Sequence, residues 1–230
     1  MYMKFDHQYD IKELLQTHYP FWSHLNEEEQ QAFCTCSTIQ EYQKGNPLQD
    51  KHHHCLGIFL VLSGQVRVYI QSDEGREITL FRINLNEICT LSAGCVMEEI
   101  SFEIMMEATE NSILLISGTP CLRRLMTGNL HMENYIYKHI AEHFSDVMWA
   151  ISEILFKSFD KRLAGYLEDE KLNRKSTTIQ ATHDEIAKEL GSAREVVSRM
   201  LKYFEKEGIV SLSRGTIQIT NEAKLRALAL

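Results

Sequence analysis

Hydrophobic and polar positions follow four successive rhythms along this chain. Between residues 10 and 36, Ile11, Leu14 and Leu15 precede Pro20, and Leu25, Ala32 and Phe33 follow it. That spacing predicts two short helices broken at the proline. From about residue 39 to residue 116 the pattern becomes short apolar runs separated by Gly, Asn and Asp, among them 58–62 (IFLVL), 66–70 (VRVYI) and 77–83 (EITLFRI). Strands so closely spaced, with a hairpin turn at Ser72-Asp73-Glu74-Gly75, predict a small barrel or sandwich.

The third rhythm runs over residues 131–156. Tyr137, Ile140, Phe144, Val147, Ile151 and Ile154 step by 3, 4, 3, 4 and 3, a two-per-seven stripe lasting about two and a half heptads. So regular a stripe suits a partner helix better than burial in the helix's own core, and it predicts a homodimer seam. A further helix over 159–172 and a polar loop over 171–178 follow.

The fourth rhythm is the most informative. In THDEIAKELGSAREVVSRML, residues 182–201, Ile186, Ala187 and Leu190 share one face of a short helix. Thr182 and Glu185 stand at capping-box spacing, and Gly191 suits the left-handed turn that ends the helix. Ser192 is expected to cap a second helix that turns Val196, Val197, Met200, Leu201 and Phe204 inward and Arg194, Glu195, Ser198 and Arg199 outward. Arginine can grip guanine O6 and N7 with two hydrogen bonds, and glutamate can accept from the cytosine amino group. An ordinary helical hairpin with a charged face has the same short pattern. Two alternating strands after Gly208, with a turn at Ser213-Arg214-Gly215, add a β-hairpin wing to it.

This order of elements resembles the cyclic-AMP receptor protein / fumarate-nitrate regulator superfamily of bacterial transcription factors. The likeness is carried by Arg194, Glu195 and Arg199 on the second helix and by the wing. Upstream it is carried by Leu62-Ser63-Gly64-Gln65-Val66 and Gly75-Arg76-Glu77, which resemble that superfamily's β-roll. The resemblance implies an α+β chain in three parts. These are a β-roll (double-stranded β-helix, cupin-like) effector-sensing domain over 1–130, a dimerisation helix over 131–157 and a winged helix-turn-helix over 158–230. It also implies double-stranded DNA as partner, a palindromic operator with TGA-type half-sites, and RNA polymerase. Arg199 then reads guanine, Glu195 the opposite strand, and Arg194 phosphate or a flanking guanine. Arg214 joins them from the wing, and Ser192 from the turn. Ser198, where the catabolite branch has glycine, implies TTGA over GTGA, against the plainer reading of a solvent-facing filler.

Composition qualifies this picture without reversing it. The 230 residues carry a formal charge of −8, which argues against a strong non-specific grip on nucleic acid. From Asp160 onward, however, thirteen Lys and Arg face eleven Asp and Glu, so the deficit lies upstream. No apolar run approaches eighteen residues and no signal-peptide pattern opens the chain, so a soluble, cytoplasmic protein with no membrane partner is expected. The cysteines at 34, 36, 55, 89, 95 and 121 form no CxxC pair and are expected to be mostly reduced.

The effector is where the resemblance thins. The superfamily's cyclic-nucleotide pocket uses a Gly-Glu pair and an Arg-Ser pair. Thr90-Leu91 and Ile100-Ser101 stand near those places, and no arginine occurs from Ile83 to Leu122. The two helix positions that hold the base correspond to Val147 and Met148. An anionic phosphodiester buried without a cation is costly, so the effector is expected not to be cyclic AMP. Cys89, Cys95 and Met97, with Thr90 and Leu91, leave two readings open. One is a sulfur-rich site for haem, a redox signal or a soft ligand; the other is adaptable apolar filling around an unknown small molecule. Cys34-Thr35-Cys36 is a poor copy of an iron–sulfur ligand group. His139 and His143, at i, i+4, have metal-ligating spacing but also flank the seam, and no metal can be assigned. His52-His53-His54-Cys55 reads as surface histidines before a strand. The rival to a regulator is a ligand-binding sensor that has lost operator binding. An enzyme is not expected, because no nucleophile–base pair, phosphate loop or paired-carboxylate motif stands at a workable spacing.

Overall fold

The computed structural model describes residues 9–48, 56–90 and 104–229. The chain divides into two units, Met1–Val68 with Phe81–Asp146, and Tyr69–Leu80 with Val147–Leu230. Its class is α+β, with sheets, long helices and a C-terminal helix-turn-helix.

In the first unit, α1 (Ile11–His18) starts at Asp10, whose carboxylate accepts from the Lys12 and Glu13 amides. Pro20 opens a single 3-10 turn, Pro20–His24, where its fixed φ suits the first position. Asn26 and Glu29 form a capping box at the head of α2 (Glu27–Thr35). These pieces bury Leu15, Tyr19, Phe21, Trp22 and Phe33 against strand residues Ile58, Leu60 and Leu115.

The strands are β1 (Ser37–Tyr42), β2 (Ile58–Ser63), β3 (Val66–Gln71), β4 (Glu77–Ile83), β5 (Ile88–Cys89), β6 (Met105–Ala108) and β7 (Ser112–Ser117). They form sheets ordered β1-β7-β2-β5 and β4-β3-β6. Four successive residues of β2, Ile58 to Val61, are fully buried, so both faces of that strand are covered and its run is continuously apolar. The tight corner between β2 and β3 needs Gly64. Its φ is +82°, and a Cβ there would stand 2.6 Å from the Asn111 carbonyl oxygen. The expected Ser72–Gly75 turn is present, closed by Gly75 N–H donating to Ser72 at 2.8 Å.

Helix α3 (Thr119–Gly128) leads through Asn129 into α4 (Leu130–Phe156). The Asn129 side-chain oxygen accepts from the His131 and Met132 amides, each at 3.2 Å, and so starts the long helix.

In the second unit, α5 (Phe159–Arg174) ends at Lys175, which takes the left-handed conformation with φ 50°. The helix therefore consumes half of the expected polar loop. A short strand, β8 (Thr178–Gln180), begins at the last residue of that loop. It joins β10 (Thr216–Ile219) and β9 (Val210–Ser213) in a sheet ordered β8-β10-β9. The closing helix α8 (Glu222–Ala229) packs on α5, where the Lys171 ammonium holds Glu168 at 2.7 Å and Glu222 at 3.2 Å.

Candidate nucleic-acid interface

Helix α6 (His183–Glu189) begins at the predicted capping box. Thr182 Oγ1 accepts from the Glu185 amide at 3.2 Å, and the Glu185 carboxylate accepts from Thr182 N–H at 2.7 Å. Leu190 caps its far end, and Gly191 follows with φ +58°. The Arg162 guanidinium donates to the Leu190 carbonyl at 2.6 Å, satisfying an acceptor the helix end would otherwise strand. Burial lowers the pKa of Arg162, and Glu153 partly opposes that shift.

Helix α7 (Arg194–Lys206) is strongly two-faced. Val197, Leu201 and Phe204 are fully buried, each contributing about 1.5–3 kcal/mol through removal from water. The opposite face exposes Arg194, Glu195, Arg199 and Lys202, with Ser198 half-buried among them. Ser192 does not cap this helix. Ala193 is the N-cap, in an extended conformation and with no side-chain hydrogen bond, while the Ser192 amide donates to the Ala187 carbonyl at 2.9 Å. The serine is thus spent on closing the turn. The wing is as expected: Ser213 pairs with Thr216 across Arg214-Gly215, and Arg214 is exposed at the tip.

A cleft of about 260 Å³ lies between the head of α6, the first residue of α7 and the wing, bordered by Thr182, His183, Asp184, Arg194, Ser213 and Gly215. A pair of helices joined by a tight glycine turn, with basic residues outward and a hairpin beside them, has the shape of a groove-reading module.

Residues 161–228 match the Crp-like helix-turn-helix domain. A solved structure from Eubacterium rectale ATCC 33656, assigned to the Crp/Fnr family of transcriptional regulators, is 40% identical. The match covers 93% of this chain and 99% of that one, with a TM-score of 0.88. The chain belongs to the Crp/Fnr family. Its curated relatives include the cyclic AMP receptor protein of Thermus thermophilus, 26% identical over 192 residues, 82% of this chain and 86% of that protein. The fold is shared with the c-di-GMP responsive global regulator CLP of Xanthomonas campestris, at 18% identity and a TM-score of 0.70, covering 85% of this chain and 100% of that one. Crp/Fnr proteins are transcription regulators and not enzymes, and this chain carries their DNA-binding domain. No described helix is long and apolar enough to cross a membrane.

Of the effector candidates, Cys89 and Thr90 are fully buried, and the Thr90 hydroxyl has no hydrogen-bond partner among the described residues. Leu91, Cys95 and Met97 lie outside the described residues, as do Ile100-Ser101 and His52-His53-His54-Cys55. On α4, Met148 is 48% exposed and Val147 half-buried. The face of α4 turned to the first core is instead Met132, Tyr135 and Ile136. Beyond it, the His139 ring packs tilted against Tyr135 at 4.4 Å and His143 lies flat on Phe81 at 4.8 Å. Burial lowers the pKa of His139, against the opposing pull of Glu142. Among the described residues no three His, Cys, Asp or Glu side chains converge on one point.

Of the seam residues, Tyr137, Phe144 and Ile151 are exposed, Ile140 packs against the first core, and Val147 and Ile154 are half-buried. Met148, read from the sequence as an effector position, and Leu155 are exposed in line with the first three. Lys202, one turn beyond Arg199, also escaped the sequence reading, although i, i+3 spacing places it on the same face.

One pair departs from the reduced state expected of most of the cysteines: Cys36 and Cys121 are bonded. Their 85-residue separation hides the pairing from any local spacing rule, and Cys36 is engaged while the bond is closed.

Proposed function

We propose that the chain is a homodimeric regulator whose paired copies set two α7 helices into successive major grooves of a palindromic operator with TGA-type half-sites. Residues 1–130 form the sensor, 131–157 the pairing helix and 158–230 the DNA reader. The observation that carries this reading is the outer face of α7, where Arg194, Glu195, Ser198 and Arg199 stand together beside the Arg214 wing tip. Arg199 makes the bidentate guanine contact, Glu195 accepts from the opposite strand, and Arg194 and Arg214 hold phosphate.

Pairing is supported by the apolar stripe of α4. Tyr137, Phe144, Met148, Ile151 and Leu155, all 37% exposed or more, follow one another by 7, 4, 3 and 4 residues. That is the repeat of a two-stranded coiled coil. A second copy buries it and spaces the two readers by one turn of DNA. RNA polymerase is the partner implied by the relatives' role in transcription.

The effector is not cyclic AMP, whatever the Thermus thermophilus relative binds. The arginines of the other strands are engaged: Arg67 holds Glu107 at 2.8 Å, Arg82 donates to Gln65 at 2.6 Å, and Arg76 pairs with Glu74 on an exposed turn. A ligand without differential affinity for two states cannot shift them. The test is selection from random duplexes, with and without cyclic nucleotide. The expected product is a palindrome of TGA-type half-sites whose recovery and binding heat ignore cyclic AMP and cyclic GMP. A micromolar response to either overturns the effector statement, and a selected pool without a palindrome overturns the operator statement.

A further inference from the structure

Cys36 and Cys121 are joined by a disulfide, with Cα atoms 6.2 Å apart. Cys36 caps the end of α2, and Cys121 stands in the first turn of α3. Contacts that do not need the bond hold the two at this distance. β1 and β7 pair from Ser37↔Ser117 onward, the two serine hydroxyls share a 2.7 Å hydrogen bond, and Gly118 N–H donates to the Cys36 carbonyl at 3.1 Å. Each sulfur also has an acceptor ready for the reduced state. Cys36 Sγ is 3.4 Å from the Phe33 carbonyl, and Cys121 Sγ is 3.5 Å from the Ala32 carbonyl. As thiols both can donate to the last turn of α2, so reduction strands no polar hydrogen. Both residues are only half-buried, within reach of a small reagent.

Proteins that act on DNA work where glutathione- and thioredoxin-type reductants prevail, and disulfides there are mostly transient and redox-sensing. A bond that closes over a preset distance and opens onto waiting acceptors is suited to cycle. We propose that Cys36 and Cys121 form a reversible thiol–disulfide switch, exchanging with low-molecular-weight disulfides, that locks α2 to α3 when oxidised. One cysteine thiolate attacks a sulfur of the reagent R–S–S–R, forming a mixed disulfide and releasing RS⁻. The second cysteine attacks the protein sulfur of that mixed disulfide and displaces the second RS⁻. The two protons given up by the cysteines end on two RSH. The protein loses two electrons, and the reagent's sulfur–sulfur bond takes them.

The lock sits at the foot of the long helix. Leu122, Leu125 and Met126 of α3 share one core with Met132 and Ile136 of α4, and only Asn129 separates the two helices. Cys34 and Cys89 make poor competitors: burial pushes the Cys34 thiol up, and Cys89 is fully enclosed.

The inference goes beyond the regulator reading, and its test has readouts independent of operator binding. The whole chain is equilibrated with mixtures of reduced and oxidised glutathione, its free thiols are counted by alkylation and mass, and amide exchange over α3 is compared. The expected result is joint, reversible loss of the Cys36 and Cys121 thiols, with α3 amides exchanging about tenfold more slowly when the bond is closed. Cys36→Ser and Cys121→Ser should exchange as the reduced protein at every ratio, and Cys34→Ser should follow wild type. A bond that never forms, one that resists reduction until the protein unfolds, or equal amide exchange in both forms overturns the switch. Operator affinity of the two forms is measured in parallel. Failure of both to bind sinks the regulator reading and leaves thiol count and amide exchange to decide the switch.

Discussion

Arg194 and Asp184 face each other across the helix-turn-helix, Nε to Oδ2 at 3.6 Å, with both side chains 64% exposed. The first arginine of the exposed α7 face is thus partly neutralised by the helix before it, at the edge of the cleft beside the wing. Each acid on that face opposes phosphate, and each freed cation adds to counterion release. Asp184→Asn is expected to tighten binding to any duplex up to about fivefold at low salt, since exposed pairs are weak and screened. Anisotropy titrations at two salt concentrations check this, and an unchanged affinity at the lower one removes Asp184 from the interface.

Arg199 makes no ion pair among the described residues and stands exposed on the same helix. Its replacement by alanine should cost about 1–3 kcal/mol on the selected operator, with much less lost on unrelated duplexes. Equal loss on both would assign Arg199 to phosphate.

The α4 stripe is testable at its centre. Ile151 is 37% exposed and Met148 48%, and a charge placed there would face its own copy across the seam. Ile151→Glu should sediment as a monomer while keeping the helical signal of the wild type. An intact dimer would show that the stripe is covered by something else.

Gly191 has two reasons to be glycine. Its φ is +58°, and a Cβ would stand 2.8 Å from Ile78 Cγ1. Gly191→Ala should destabilise this unit by about 1–2 kcal/mol from the backbone alone. Gly191→Ala combined with Ile78→Ala, which removes the crowding Cγ1, should cost less than the sum of the two single changes if crowding contributes. Chemical denaturation of the three variants measures both effects, and a single mutant as stable as wild type would contradict the geometry.

Much of this arrangement could be read from residue order. The capping pair Thr182 and Glu185, the break at Gly191 and the limits of α4 were legible because each depends on neighbours within one helical turn. Ser192 misled because serine is a favoured cap, while the backbone places the cap one residue later, at Ala193. Three-residue β8 was missed because its partner β10 lies some forty residues downstream, and its alternation is too short to register as a period. The exposed apolar stripe lies toward Met148 and Leu155 for a related reason. Heptad spacing fixes a stripe, but which side of it turns outward depends on the core that Ile140 joins. The Cys36–Cys121 bond depends on two helices meeting across the β1–β7 ladder, a relation no local pattern encodes.

The uncovered stripe on α4 also bears on how sensitively a cell could tune this protein. If each operator-competent particle requires two chains, then below the dimer's dissociation constant its abundance rises with the square of chain concentration. A modest change in synthesis or turnover then becomes a larger change in operator occupancy. The hydrophobic repeat from Tyr137 to Leu155 would set the expression level at which that steep response begins.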